Sequence, residues 1–324
     1  MNDNEIAHVP SYEVGRLGRA ILDEVGTVVV GKRESLELVL AGILAGGHVL
    51  MEDLPGLAKT LTARSFAQAL GIGFRRLQFT PDLLPADVTG SFLYDQRTHD
   101  FTFRPGPIFT NLLLADEINR TPPKTQAALL EAMQERQVSV EGRPEPLPDP
   151  FLVLAKQNPV EYEGTYALPE AQLDRFLVRL QVRYPEEADE VRMLSLERRG
   201  VGPGDLDAVR PVVGLEALRE ARAAVDATRV DDEIARYVVA VVRRTRSLPS
   251  VELGASPRAA VHLLGAAKAA ARLAGRDYVT PDDVGSMAVA VLAHRLVLTP
   301  EAELERYEDT DAVRTALGEV PVPR

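Results

Sequence analysis

The sequence contains no cysteine, no tryptophan and few aromatic residues, which make up 5% of its 324 residues. Without cysteine there can be no disulfide framework, thiolate nucleophile or zinc–sulfur site. No basic segment followed by an apolar stretch, the pattern of a secretory signal, is seen near residue 1. The longest apolar run, residues 39–51, is shorter than the roughly 20 residues that a membrane span needs. We therefore expect a cytoplasmic protein with no membrane span.

Positive charge is also scarce, because the formal net charge is −11 at pH 7. Nucleic-acid-binding domains usually carry a basic face, so a nucleic-acid partner is not expected. The densest basic cluster is Arg243, Arg244 and Arg246, and it lies in a helical stretch that begins with acidic residues, which favours a solvated helix face. The five histidines are dispersed, with no spacing typical of a metal site.

The distribution of apolar residues predicts two domains, which the length also favours. From residue 14 to residue 182, short apolar runs alternate with amphipathic segments, as in an α/β domain with a parallel sheet. A stretch rich in glycine and proline follows, and the remainder is rich in Ala, Val and Arg at helical spacing. We predict a flexible N-terminus (1–12), an α/β core (13–184), a linker (185–212) and an all-α lid domain (213–324).

Within this frame, the predicted core strands are 48–52, 75–79, 112–116, 151–156 and 176–181, and the predicted core helices are 34–45, 59–70 and 122–135. Apolar residues at alternating positions, next to polar turn residues, predict β-hairpins at 90–103 and at 138–140. In the lid, Ser256-Pro257 and Thr280-Pro281 are typical helix starts, and they predict helices over 258–273 and 284–294.

A candidate phosphate-binding loop follows the first predicted strand. Strand–loop–helix order is the context that such a loop requires, and its lysine and threonine bind the phosphates and Mg²⁺. Asp53 and Ala58 stand where the formal pattern has its two glycines, so an ordinary turn is the alternative. We predict nucleotide binding by Lys59 and Thr60, with Thr60 also a Mg²⁺ ligand, and by their neighbours Pro55, Gly56, Leu57, Ala58 and Leu61.

Two carboxylates end the third predicted strand, at the edge of a parallel sheet where ligands gather. Asp116 is suited to hold Mg²⁺, and Glu117 is suited to polarise an attacking water as a general base. An acidic helix cap before Thr121-Pro122 is the alternative interpretation, and the two are not exclusive. We predict that Asp116 binds metal and that Glu117 is catalytic.

Residues 52–60, Asp116-Glu117-Ile118-Asn119-Arg120, Gln157-Asn158-Pro159 and Leu173-Asp174-Arg175-Phe176 together resemble the MoxR family of AAA+ ATPases. The resemblance covers nearly the whole chain. It implies a P-loop NTPase (AAA+) core with a parallel sheet flanked by helices, followed by the all-α lid. It also implies that ATP and Mg²⁺ are the ligands and that the chain assembles into a ring, expected to be a hexamer.

The resemblance further implies roles for individual residues. Asn158 matches the residue that senses the γ-phosphate, with a strand-end turn as the alternative. Arg175 matches the arginine finger that reaches a neighbouring subunit's nucleotide, and Arg258 matches the second sensor on the lid; a surface salt bridge is the alternative for each. Val30 and Gly31 match the segment that passes near the adenine, unless they form a plain turn. Lys156 stands where a small polar residue is expected, and it receives no role.

Three functions follow from this reading. The first is an ATP-hydrolysing motor that remodels or matures partner protein complexes, with metal cofactor insertion as one form and a von Willebrand factor A domain protein as one partner. In the family, the two hairpins would line the ring. The second is a nucleotide-dependent binding switch that hydrolyses ATP negligibly. The third is a DNA-associated motor, for which the hairpin 90–103 lacks a basic tip. We choose the first.

Overall fold

The computed structural model describes residues 11–53, 59–97, 99–157, 165–182, 184, 186–197 and 208–323. Its centre is a parallel sheet of five strands: β1 (Val49–Asp53), β2 (Phe74–Gln78), β5 (Leu112–Asp116), β8 (Leu152–Gln157) and β9 (Val178–Val182). Their spatial order is β2-β5-β8-β1-β9. Since all neighbouring strands are parallel, their carboxyl ends share one edge of the sheet.

The central strand β5 is apolar on both sides because helices cover both faces of the sheet. Leu112 and Leu114 pack into one hydrophobic core, and Leu113 and Ala115 pack into the other. The alternation follows from the two-residue period of a strand. The first of these cores also contains lid residues such as Val284, so one face of the sheet is continuous with the interior of the lid.

The described residues before the lid form seven α-helices: α1 (Ser11–Val25), α2 (Arg33–Leu44), α3 (Lys59–Ala69), α4 (Pro85–Thr89), α5 (Pro123–Glu135), α6 (Glu170–Leu173) and α7 (Glu187–Glu197). Helix α1 starts inside the segment 1–12 that we predicted to be flexible, because Val14, Ile21 and Val25 repeat at helical spacing and are buried. Helix α7 lies inside the predicted linker, and its first turn is acidic, which favours a helix start.

Two antiparallel hairpins stand apart from the main sheet: β3 (Gly90–Asp95) with β4 (Asp100–Pro105), and β6 (Gln137–Val140) with β7 (Arg143–Pro146). Gly90 starts the first with φ of 90°, and an added Cβ would lie 2.3 Å from the carbonyl oxygen of Arg104, so glycine is required there. The guanidinium of Arg143 lies 5.0 Å from the ring centre of Phe92, which links the two hairpins. Both predicted hairpins are therefore present.

The lid consists of α8 (Leu215–Asp226), α9 (Asp232–Thr245), α10 (Pro257–Leu273), α11 (Pro281–Leu292), α12 (Pro300–Leu304) and α13 (Asp309–Glu319). The predicted helix starts are present: the Ser256 hydroxyl accepts from the Ala259 N–H, and Thr280 forms a capping box with Asp283. A short antiparallel pair, β10 (Val251–Leu253) and β11 (Val297–Leu298), was not anticipated, since neither run is long enough to show strand periodicity.

The structure confirms the predicted α/β core, a parallel sheet flanked by helices, and the helical lid that follows it. Each predicted core strand overlaps an observed strand, with boundaries displaced by at most two residues. Among the described helices, none is both long enough and apolar enough to cross a membrane.

Candidate functional site

Polar side chains meet where the parallel strands end. In the register of the sheet, Gln78 lies beside Asp116, and Ala115 lies beside Ala155, so that Asp116 is also adjacent to Lys156. Only 1% of Asp116 is exposed to solvent. A carboxylate buried to that degree needs charged or hydrogen-bonding partners, and they come from the two neighbouring strands.

Two basic side chains contact Asp116. Arg76 on β2 donates from Nε and Nη2 to the Oδ2 of Asp116, at 2.9 and 2.6 Å. The Nζ of Lys156 on β8 forms an ion pair with Oδ1 at 2.8 Å. Burial alone would raise the pKa of Asp116, but its contacts with Lys156 and Arg76 hold that pKa below its usual value. Asp116 is therefore ionised and available as an anionic ligand.

Glu117 follows β5 with φ of 59°, in the left-handed region that non-glycine residues seldom adopt. Its Oε2 accepts from the side-chain amide of Gln78 at 2.7 Å and pairs with Nε of Arg120 at 3.2 Å. Its Oε1 lies 3.7 Å from Nζ of Lys156. Sparsely populated backbone conformations of this kind cluster at functional sites. Here the two carboxylates lie on either side of one ammonium group, that of Lys156.

Lys59 and Thr60 begin α3, next to the carboxyl end of β1. Lys59 is 5% exposed. Burial, and after it the charge of Lys156, lowers the pKa of Lys59 to about 8. Thr60 and Leu61 are half-buried in the first turn, where backbone N–H groups favour an anion. Pro55, Gly56, Leu57 and Ala58 lie outside the described residues, as does Asn158, so these assignments stay predictions.

The donors at this edge of the sheet suit a Mg²⁺ ion, which prefers carboxylate and hydroxyl oxygens. Oδ1 of Asp116 is buried and accepts no well-aligned hydrogen bond from the described residues, although Lys156 pairs with it. An acceptor in that condition fits a metal ligand. In the part of the chain that the structure describes, no group of three or more His, Asp or Glu side chains could hold a metal by itself.

Val30 and Gly31 lie before α2, in the segment predicted to pass near the adenine. Val30 is buried, and Gly31 has φ of 74°. A Cβ at position 31 would lie 2.4 Å from Oδ2 of Asp189, so the segment packs closely against α7. Lys32, the next residue, lines a small cavity together with Lys59, which brings the segment near the start of α3.

Arg175 and Arg258 lie in a different place. Together they line a cleft of about 470 Å³ between the core and the lid. The core wall of this cleft includes Gly46, Gly47 and His48, which precede β1, and Arg175 itself precedes β9. The cleft is therefore at the amino edge of the sheet, whereas Asp116 and Glu117 are at the carboxyl edge. The structure does not bring Arg175 and Arg258 together with the two carboxylates.

The charged residues that line this cleft are mainly basic, since Arg136 and Lys268 join Arg175 and Arg258, and Asp226 is the acidic residue among them. Arg175 is held in place by a hydrogen bond from Nη1 to the carbonyl oxygen of Leu130, at 2.5 Å. Next to it, Asp174 accepts a hydrogen bond from Nε of the buried Arg295 at 2.8 Å. Since Arg295 belongs to the lid, this ion pair fixes the segment containing Arg175 against the lid.

The histidines of the cleft are structural. The Nδ1 of His48 accepts the Val153 N–H at 3.0 Å, so its Nε2 carries the proton and donates to the carbonyl oxygen of Met133. Burial lowers the pKa of His48 to about 4, and burial with the charge of Arg295 lowers the pKa of His262 to about 4 as well. Both side chains are neutral at pH 7.

Sequence reasoning missed Arg76, Gln78 and Lys156, which contact the two predicted carboxylates. Arg76 and Gln78 share one face of β2, two residues apart, and this spacing was a usable signal. The decisive information is the strand order, which puts β2 and β8 on either side of β5. No local pattern in the sequence encodes that order.

Comparisons with known proteins agree with this geometry. Residues 48–178 match the ATPase family associated with various cellular activities (AAA), and residues 243–316 match the AAA lid domain. A solved structure from Cytophaga hutchinsonii, described as a proposed ATPase, is 39% identical, covers 97% of each chain and superimposes with a TM-score of 0.88.

Curated relatives cover most of the chain as well. Chaperone MoxR1 of Mycobacterium tuberculosis is 44% identical over 96% of this chain and 84% of its own length. Protein MoxR of Methylorubrum extorquens is 33% identical over 93% of each chain. The uncharacterised protein YeaC of Bacillus subtilis is 50% identical over 95% of each. Similarity at these levels along nearly the full length indicates common descent and a common fold.

Proposed function

The chain belongs to the MoxR family of AAA+ ATPases, and we propose that it hydrolyses ATP and uses the cycle to remodel or mature partner protein complexes. The observation that carries the proposal is the arrangement at the carboxyl edge of the sheet, where Lys59, Asp116 and Glu117 converge. Transfer of a phosphoryl group to water needs a cation to bind the phosphates, a carboxylate to hold the metal and a second carboxylate to polarise the water, and these three side chains match those needs.

Each residue has a separate task in this proposal. Lys59 binds the terminal phosphates, and Thr60 and Asp116 hold Mg²⁺. When bound, Mg²⁺ neutralises charge that develops on the phosphate oxygens. Glu117 polarises the attacking water and takes up its proton, so its carboxylate has to exchange the Gln78 amide for that water. Asn158 completes the site as the residue that senses the γ-phosphate.

We further propose that Arg175 and Arg258 act on the nucleotide of a neighbouring subunit. The support is their position at the amino edge of the sheet, in a basic cleft that the chain's own phosphate site does not share. In a ring, the carboxyl edge of one subunit would face the amino edge of the next, so that each nucleotide meets the arginines of the neighbouring subunit. A hexamer is the ring size we propose.

The client side of the proposal rests on the two hairpins and on the relatives. Tyr94 and Phe101 of the β3–β4 hairpin are 50% and 58% exposed. Exposed aromatic side chains provide large contact areas for protein partners. We propose that the hairpins line the ring and contact a protein client, that a von Willebrand factor A domain protein serves as a partner, and that metal cofactor insertion is one outcome. The proposed location is the cytoplasm, where ATP is supplied.

The test is steady-state phosphate release from the wild type and from Glu117→Gln with Mg-ATP, with the oligomer mass measured on the same samples. We expect turnover and a ring-sized species for the wild type. Glu117→Gln should bind ATP with little change and lose turnover, because an amide cannot accept the proton. Glu131→Gln, on the exposed face of α5, is a matched control that makes the same substitution outside the site and the cleft.

Normal turnover by Glu117→Gln would contradict the catalytic role of Glu117. ATP binding without turnover in either protein, with client present, would instead identify a nucleotide-dependent switch. Salt-sensitive DNA binding that stimulates hydrolysis would favour the DNA-associated motor.

A further inference from the structure

Lys156 occupies a position that the proposed ATPase mechanism does not explain. It lies on β8 with its side chain 19% exposed, and its Nζ is 2.8 Å from Oδ1 of Asp116 and 3.7 Å from Oε1 of Glu117. It therefore contacts both carboxylates that carry the proposed function.

Neutralising Asp116 does not require Lys156. Arg76 already gives Oδ2 of Asp116 two hydrogen bonds at 2.9 and 2.6 Å, and Arg120 already pairs with Glu117. With Lys156, and with Lys59 close enough for the two lysines to repel each other, positive side chains around the two carboxylates outnumber them. A surplus of positive charge at a half-buried site is stabilised by an anion.

The position of Nζ also conflicts with a metal on Asp116. Mg²⁺ binds carboxylate oxygens at about 2.0–2.1 Å and keeps a tight shell of waters, so the ammonium group 2.8 Å from Oδ1 competes with a metal for that oxygen. Lysine has a flexible four-carbon stem that allows Nζ to move while the backbone of β8 stays in the sheet. Nζ already lies between Asp116 and Glu117, beside the place where the terminal phosphate would react.

We propose that Lys156 is a second phosphate-binding lysine, which Mg²⁺ displaces from Asp116 and which then contacts the terminal phosphate of ATP. The inference rests on the proposed function, because it places the nucleotide at this edge of the sheet. No bond is made or broken in the exchange. The ammonium group leaves one anion, the carboxylate, for another, the phosphate, while the metal takes its place.

Replacing Lys156 then has two effects that can be measured separately. The loss of a charged hydrogen bond to the terminal phosphate lowers the preference for a triphosphate over a diphosphate, by about tenfold for an interaction of this type. Without Lys156, no ammonium group from this position competes with Mg²⁺ for the carboxylate of Asp116, so Mg²⁺ supports nucleotide binding at a lower concentration. The second effect is cleanest with a diphosphate, which has no γ-phosphate for Lys156 to contact.

The experiment measures binding of a fluorescent, non-hydrolysable ATP analogue and of fluorescent ADP over a range of Mg²⁺ concentrations. We compare the wild type, Lys156→Met and Lys124→Met, since Lys124 is an exposed lysine on α5 whose replacement removes the same charge elsewhere. For Lys156→Met, we expect the triphosphate preference to fall about tenfold. The Mg²⁺ concentration for half-maximal ADP binding should also fall, by a severalfold factor, while Lys124→Met behaves as the wild type.

The outcomes separate the inference from the proposed function. If the wild type binds neither nucleotide, the proposed function fails and the role of Lys156 fails with it. If the wild type binds both and Lys156→Met leaves the triphosphate preference and the Mg²⁺ dependence unchanged, the inference alone is overturned. Arg76 still pairs with Asp116 in this variant, so the fold should persist. Lys156→Gln, which keeps a polar chain without the charge, repeats the test should the methionine variant not fold.

Discussion

The two edges of the parallel sheet differ in how their charges are balanced. At the carboxyl edge, Asp116 and Glu117 are surrounded by cations from β2, from β8 and from the turn that follows β5. At the amino edge, the cleft is lined by Arg136, Arg175, Arg258 and Lys268 with little opposing charge. Among the described residues, the carboxyl edge has the acids that suit a metal, whereas the amino edge has several basic side chains and one acid, Asp226, among those that line its cleft.

In the ring proposed above, this difference would let the two edges complement each other between copies of the chain. An anion held at the carboxyl edge can satisfy the basic cleft only if that cleft comes from another subunit, since the length of the strands separates the two edges within one chain. The lid contributes to the cleft through Arg258 and is tied to the core beside Arg175 through Asp174 and Arg295. Because one wall of the cleft belongs to the core and the other to the lid, movement of the lid relative to the core would change the width of the cleft.

The largest effect that tests this comparison is expected from Arg175→Ala. The variant should form rings and bind ATP normally, yet turnover should fall about 10³–10⁵-fold, as for the loss of an arginine finger. Arg236→Ala, which removes an exposed arginine from α9, is the control and should leave turnover unchanged. Phosphate release and oligomer mass are measured on the same samples.

A second experiment mixes the Arg175→Ala and Glu117→Gln proteins to test whether the two residues act across the interface between subunits. Arg175→Ala subunits keep Glu117, and Glu117→Gln subunits keep Arg175, so a mixed ring contains interfaces with both groups intact. We expect the mixture of two inactive proteins to recover part of the wild-type turnover. No recovery, with mixed rings demonstrated by mass, would mean that the two edges do not meet between subunits.

A smaller effect is expected from Arg258→Ala, on the lid wall of the same cleft. Losing a charged hydrogen bond to a phosphate should reduce turnover about 10–100-fold. Because Arg258 and Arg175 would contact the same nucleotide, the double variant should lose less than the product of the single losses. Steady-state kinetics of the four proteins measures this coupling, and strictly multiplicative losses would place the two arginines at separate sites.

Candidate residues at the carboxyl edge of the sheet can be predicted from local sequence order, whereas those of the cleft at the amino edge cannot. The loop lysine, Asp116 and Glu117 are marked by local order, since each follows an apolar strand and precedes a turn or helix. Lys156 and Arg76 reach Asp116 only because β8 and β2 flank β5, and the cleft forms only when the lid packs on the core. Long-range arrangements of that kind leave no local pattern, so the roles of Arg175 and Arg258 came from family resemblance alone.

The smallest effect concerns stability, and it should distinguish the two edges by pH. His48 and His262 line the amino edge with folded pKa values of about 4, against a usual value of 6.5. Burial is the main reason why both pKa values are low. The charges of Arg136 and Arg222 also oppose protonation of His48. For His262, the charges of Arg295 and Arg258 oppose protonation, whereas the charge of Asp174 favours it. The unfolded chain takes up these protons as pH falls below 6.5 while the folded chain does not. Stability is therefore full above that pH and is lost between 6.5 and about 4.

Thermal unfolding between pH 7 and pH 4 measures this loss, which for a fully buried histidine is on the order of 3 kcal/mol. His48→Gln should lower stability at every pH and flatten its decline over this range, because the titrating group is gone. His99→Gln removes an exposed histidine and should keep the wild-type slope. The pKa of Asp116 is held below its usual 3.8, so its contribution to the free energy of unfolding is lost only at lower pH. As pH falls, stability should therefore be lost first through the histidines of the amino edge and later through Asp116 at the carboxyl edge. Equal slopes for His48→Gln and the wild type would show that His48 does not set the acid response of the cleft.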